Sequence, residues 1–135
     1  MEPDETERPA TGPIAEVLEA DERFYEAHEA RDLDAMVDVW EHTDRVACIH
    51  PGWPILRGWR AVGESWQRIL EGPGRNQFIV TNRAVAIDGN LAWVTCDENL
   101  VSPGGTGTVA ATNIYARHAD GWKLVVHHGS PVISR

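Results

Sequence analysis

A chain of 135 residues with 42% hydrophobic and 24% charged positions has the make-up of one ordinary globular domain, with room for a single core. No apolar run approaches the roughly 20 residues of a membrane helix. The net charge of −9 repels phosphate backbones and anionic lipid, so neither nucleic acid nor a membrane is an expected partner. That charge is uneven: residues 1–44 hold fifteen of the 21 acids and three of the 12 bases.

The opening "MEPDETERPATG" is acidic, contains proline and lacks the apolar segment of a secretory signal. It reads as a disordered lead-in over residues 1–12, ahead of one domain over 13–135 in a cytoplasmic protein. Two cysteines, Cys48 and Cys96, fit neither a zinc spacing nor a disulfide framework and read as buried thiols.

From residue 14 to 30, Ile14, Val17, Leu18, Phe24 and Tyr25 recur near helical spacing among glutamates, predicting an amphipathic helix. Asp32 can cap a second helix, in which Leu33, Met36, Val37 and Trp40 form one stripe. A short strand over 45–50 leads into "CIHPGWPILRGW", where Pro51 and Gly52 turn the chain. Val62, Trp66 and Ile69 mark a third helix, ended by "GPG" at 72–74.

The period then changes. Strands are predicted over 77–87, 91–101, 108–117 and 122–128, with tight turns at "DGN" (88–90) and "ADG" (119–121) and a wider one at "SPGGTG" (102–107). Helices first and an antiparallel meander last define an α+β fold.

An antiparallel sheet covered on one face alternates, so parity sorts its side chains. Ala92, Val94, Cys96, Glu98 and Leu100 share the inward face of one strand, and Glu98 is their only charge. Val109, Ala111 and Tyr115 take Asn113 inward with them. In the last strand Trp122, Leu124 and Val126 carry His128 and Ser130 to the same side, leaving His127 to point away. Cys48 and His50 share a face. Unpaired burial costs a polar group about 1–3 kcal/mol, so Glu98, Asn113 and His128 are expected to pair with one another or meet a ligand.

The segments "RDLDAMVDVW", "CIHPG" followed by "LRGWRAVGESW", and "DGWKLVVHHGS" resemble the nuclear transport factor 2-like superfamily, in particular its SnoaL-like polyketide cyclases and ketosteroid isomerases. "CIHPGW" is similar to an uncharacterised SnoaL-like subgroup and to the association domain of calcium/calmodulin-dependent kinase. The resemblance implies a cone-shaped, cystatin-like roll: three helices against a curved, mainly antiparallel sheet of about five strands, a pocket at the open end, and a homodimer formed through the sheet. Trp93 on the outer face suits such a dimer.

Two functions remain open from the sequence. In the first, Glu98 and His128 form an acid/base pair and Asn113 donates a hydrogen bond to a developing enolate, with His50 as a second donor. The reaction is then proton transfer beside a carbonyl, as in isomerisation, cyclisation or dehydration, without metal or other cofactor. Trp53, Trp59 and Trp66 would wall a cyclic, apolar ligand, with Cys48, Cys96, Tyr115 and Ser130 lining the same pocket. In the second, the protein is a non-catalytic dimeric ligand-binding or association module. A metal face of His50, Glu98 and His128 is a lesser alternative, since no ligand spacing supports it.

Overall fold

A computed structural model of the protein describes residues 12–74, 77–102 and 105–133. The expected lead-in and the middle of the "SPGGTG" turn lie outside the described residues, Gly12 apart. The chain runs α1 (Pro13–Ala30), α2 (Leu33–Val39), β1 (Ala47–Ile49), β2 (Leu56–Arg57), α3 (Trp59–Glu71), β3 (Gln77–Asp88), β4 (Leu91–Ser102), β5 (Gly105–His118) and β6 (Gly121–Pro131).

Local chemistry sets the helix boundaries. Pro13 opens α1, where its missing N–H costs no intrahelical bond. Asp32 caps α2 by accepting from the Ala35 amide at 3.1 Å. Between the two helices Arg31 adopts a left-handed conformation, and its guanidinium donates to the carbonyls of Ile69, Gly72 and Gly74. The end of α1 is thereby tied to the end of α3, whose last carbonyls need donors.

Among the described residues six strands, one more than expected, form a single sheet in the order β2-β1-β6-β5-β4-β3. The two-residue β2 carries too little sequence pattern to be foreseen. All neighbours are antiparallel except β1 and β6, which run parallel with Cys48 opposite His127. The helices cover one face, where Phe24, Tyr25, Met36, Val62 and Trp66 meet Val94, Tyr115 and Leu124 in one buried core.

Two bulges decide what faces that core. In β6, Ile114 pairs with Val126 and Tyr115 with Leu124, leaving Val125 unpaired. An extra residue reverses the alternation beyond it. His127 is therefore buried, whereas His128 and Ser130 are exposed on the outer face. This corrects the expectation that His128 and Ser130 point inward. In β3 the register steps from Thr81–Asp97 to Ala84–Thr95, so Asn82 and Arg83 together oppose Cys96. Asn82 takes a positive φ of 59°, and Arg83 is delivered to the inner face.

Candidate functional site

The interior polar groups form a network centred on Asp21, which is fully buried on α1. Its Oδ1 accepts from the Tyr115 hydroxyl at 2.6 Å and from Asn113 Nδ2 at 3.0 Å. Its Oδ2 accepts from Arg83 Nε at 2.9 Å, which pairs the buried negative charge. The acceptor-only carboxylate fixes the Asn113 amide: nitrogen toward Asp21, oxygen toward His127, whose Nδ1 lies 2.6 Å away. His127 is consequently the Nδ1–H tautomer. Burial, with His50 and His28 nearby, holds its pKa well below the usual imidazole value.

The second branch runs through Tyr25. Its hydroxyl accepts from Asn113 Nδ2 at 3.0 Å and donates to Glu98 Oε2 at 2.6 Å, with Cys96 Sγ 3.3 Å away. Glu98 is pushed up to about 7 by burial and by the Asp21 charge, while the Tyr25 hydrogen bond opposes both. Cys96 is pushed up to about 11 by burial. A neutral carboxyl at the end of a hydrogen-bonded row can hold or release a proton near neutral pH.

Beside this network lies an aromatic cluster. Trp66 is buried with ring centroids 5.6 Å from Phe24, 5.1 Å from His28 and 4.8 Å from His50. His50 Nε2 lies 2.9 Å from Ser65 Oγ, which itself donates to the Val62 carbonyl, and Cys48 Sγ sits 3.6 Å from the same nitrogen. Burial lowers His28 and His50 to about 4 and pushes Cys48 up, so these groups stay uncharged. Trp66 Nε1 is buried without an acceptor among the described residues.

The structure brings together Glu98, Asn113, Cys96 and Tyr115 from the sheet, and His50, Cys48, Trp53 and Trp66 around the "CIHPGW" corner. Trp53 is half-buried, 4.8 Å from His50 and beneath the Arg68 guanidinium. Trp59 stacks on His42 at 4.2 Å instead of forming one wall with Trp53 and Trp66. His128 does not meet Glu98, so neither the expected acid/base pair nor the His50–Glu98–His128 metal face forms. Among the described residues no group of three or more His, Cys, Asp or Glu side chains is placed to hold a metal.

Sequence reasoning missed Asp21, Tyr25, Arg83 and His127. A signal for the first two existed: Val17, Asp21 and Tyr25 are spaced i, i+4, i+8, which puts an aspartate on the apolar stripe of α1.

Access to the network is narrow. A cleft of about 170 Å³ between α1 and β3 reaches Tyr25, Phe78 and Arg83 and is rimmed by Glu22, Glu26 and Glu29. A larger concavity of about 360 Å³ lies on the outer sheet face, where Asp97, Ala110, Thr112, His128 and Ser130 surround it.

A family model for the SnoaL-like domain matches residues 17–134. The chain belongs to the SnoaL-like family. Solved structures of the nuclear transport factor 2-like superfamily share its architecture. One, from Streptomyces avermitilis and provisionally described as a dehydratase, is 39% identical, covers 88% of this chain and 95% of its own, and superposes with a TM-score of 0.81. Another, from Thiobacillus denitrificans and provisionally described as a calcium/calmodulin-dependent protein kinase type II association domain, is 37% identical. The match covers 94% of this SnoaL-like chain and all of the other, with a TM-score of 0.79. Among curated proteins, the Arabidopsis thaliana F-box protein SKIP8 is 29% identical over 117 residues, 87% of this chain and 50% of SKIP8. The SnoaL-like chain thus spans about half the length of that relative.

Proposed function

We propose that the protein is a self-associating module whose working surface is the outer face of its sheet. The observation that carries this reading is the exposure there of large apolar side chains: Trp93 at 40%, Leu91 at 45%, Val101 at 48% and Ile79 at 63%. Register aligns Ala86, Trp93, Ile114, Val126 and Ala47 in one apolar row across five strands. A contiguous row of this kind is what an association surface requires. The interior supports the same reading, because Asp21, Asn113, Tyr115 and His127 bond to one another, leaving few polar groups for a ligand. The relative provisionally described as an association domain is in keeping with it. A sedimentation-velocity dilution series tests the proposal: a concentration-dependent dimer is expected, and a monomer at every concentration would contradict it.

A second reading, proton transfer inside the cone, is favoured by one observation: Glu98, held near 7, lies at hydrogen-bond distance from Tyr25 beside the cleft. The unpartnered Trp66 N–H would suit a substrate oxygen. On this reading the protein exchanges the α-protons of a cyclic ketone into D2O and Glu98→Gln abolishes the exchange. Equal exchange by protein and buffer removes it.

A further inference from the structure

Three buried indole N–H groups, those of Trp40, Trp66 and Trp122, have no acceptor among the described residues. A buried donor without a partner is costly, so each calls for a water or a ligand. Trp122 also lines a pit of about 310 Å³ between α1, α2 and the β5–β6 turn. The pit has a buried lining of Ala20, Val39 and Trp122 and charged walls from Arg23, Asp38, Asp120 and Lys123. A second concavity of about 310 Å³ adjoins it, sharing Arg23, Asp120 and Trp122 and reaching Arg117.

The fold sets these charges around the pit in balance. The bridge between Trp40 and Leu124 holds the end of α2 beside the start of β6, which brings Asp38 to Lys123. The turn at Gly121, with a φ of 122°, sets Asp120 on the rim. Lys123 Nζ donates to the Asp38 carbonyl at 2.8 Å, while the Asp38 and Asp120 carboxylates lie 3.8 Å from it, beyond hydrogen-bond distance. Arg23 is exposed and has no ion-pair partner among the described residues. Two cations and two carboxylates thus face one small space without neutralising one another by direct hydrogen bonds.

We propose that this pit binds a zwitterion, a free α-amino acid, with its carboxylate on Arg23 and its ammonium between Asp38 and Asp120. The ligand class follows from charge. A simple anion would face the two carboxylates and a simple cation would face Arg23 and Lys123, whereas a molecule that carries both charges finds a partner for each. A guanidinium matches a carboxylate with two parallel N–H donors. The pit has room for about ten waters at roughly 30 Å³ each, which is space for a small amino acid, and the adjoining concavity extends it for a side chain. The site lies on the helix-covered side of the sheet, away from the outer face, and is independent of the self-association reading.

Nitrogen–proton NMR of the full chain tests the site, with the Trp122 indole N–H as reporter and glycine, acetate and methylammonium as probes at one pH and ionic strength. Glycine is expected to shift the Trp122 signal saturably while the Trp40 and Trp66 indoles stay in place. Acetate and methylammonium each carry one of the two charges, and they are expected to bind at least about tenfold more weakly. Arg23→Gln and Asp38→Asn change exposed positions, and circular dichroism confirms that each variant is folded. Each is expected to weaken glycine binding about tenfold. A Trp122 signal that glycine leaves in place, or moves only in proportion to concentration, overturns the proposal. Acetate binding as tight as that of glycine marks a carboxylate site alone and overturns the zwitterion. Variants that bind glycine like wild type overturn the roles given to Arg23 and Asp38.

Discussion

His127 Nδ1 and Asn113 Oδ1 are 2.6 Å apart, which makes the Asn113 amide a connector between an imidazole on β6 and the carboxylate of Asp21 on α1. One amide therefore orients three partners, since its nitrogen also reaches the Tyr25 hydroxyl. Asn113→Ala leaves those groups buried without it. Chemical denaturation is expected to show a loss of about 2–4 kcal/mol, from desolvated partners and a small cavity. A change below about 0.5 kcal/mol, the range of neutral surface substitutions, would contradict the network.

The tautomer of His127 is a second expectation. With Nδ1 donating to Asn113 and the pKa held down by burial, nitrogen NMR of the imidazole should show a neutral Nδ1–H ring throughout the neutral range. An Nε2–H ring, or titration near 6.5, would contradict the assignment.

The buried ion pair makes an asymmetric prediction. Arg83→Ala strands the Asp21 carboxylate in the core and should cost about 3–5 kcal/mol. Replacing both partners together, Asp21→Asn with Arg83→Met, should cost less than the single Arg83 change because no uncompensated charge remains. Additive losses in a double-mutant cycle would argue against the pairing.

The pH dependence of stability has opposing contributions. His28 and His50, held at about 4, and His127, also lowered, take up fewer protons in the folded state than unfolded, so they make stability rise with pH up to about 6.5. Glu98 acts in the other direction: with its folded value at about 7 against an ordinary 4.5, the folded protein holds a proton that the unfolded chain has lost. Its contribution is complete below about 4.5 and fades as pH rises toward 7. The Glu98→Gln profile should therefore climb more steeply than wild type across that window, the gap reaching a few kcal/mol at most above it. Parallel profiles would show that Glu98 is not perturbed.

The sequence disclosed the α+β order, the Asp32 cap, the tight turns and the inward placement of Glu98 and Asn113, because each rests on local pattern. It misplaced His127 and His128 because a single bulge at Val125 reverses the face of everything after it. Nothing in "KLVVHHGS" announces that extra residue, since Leu124, Val125 and Val126 are all apolar. Arg83 was hidden for the same reason by the Asn82 bulge. The parallel β1–β6 pairing joins residues some eighty positions apart, a relation that local periodicity does not encode. Asp21 and Tyr25 were legible on the α1 stripe, where an acid among apolar residues marks a paired buried charge.

Association through the outer sheet face can be read residue by residue from amide NMR of the wild-type chain across a dilution series. Concentration-dependent shifts are expected at Trp93, Thr95, Thr112 and His128, with α1 and α2 unchanged. Shifts confined to the acidic faces of α1 and α2, or spectra that do not vary with concentration, would contradict it.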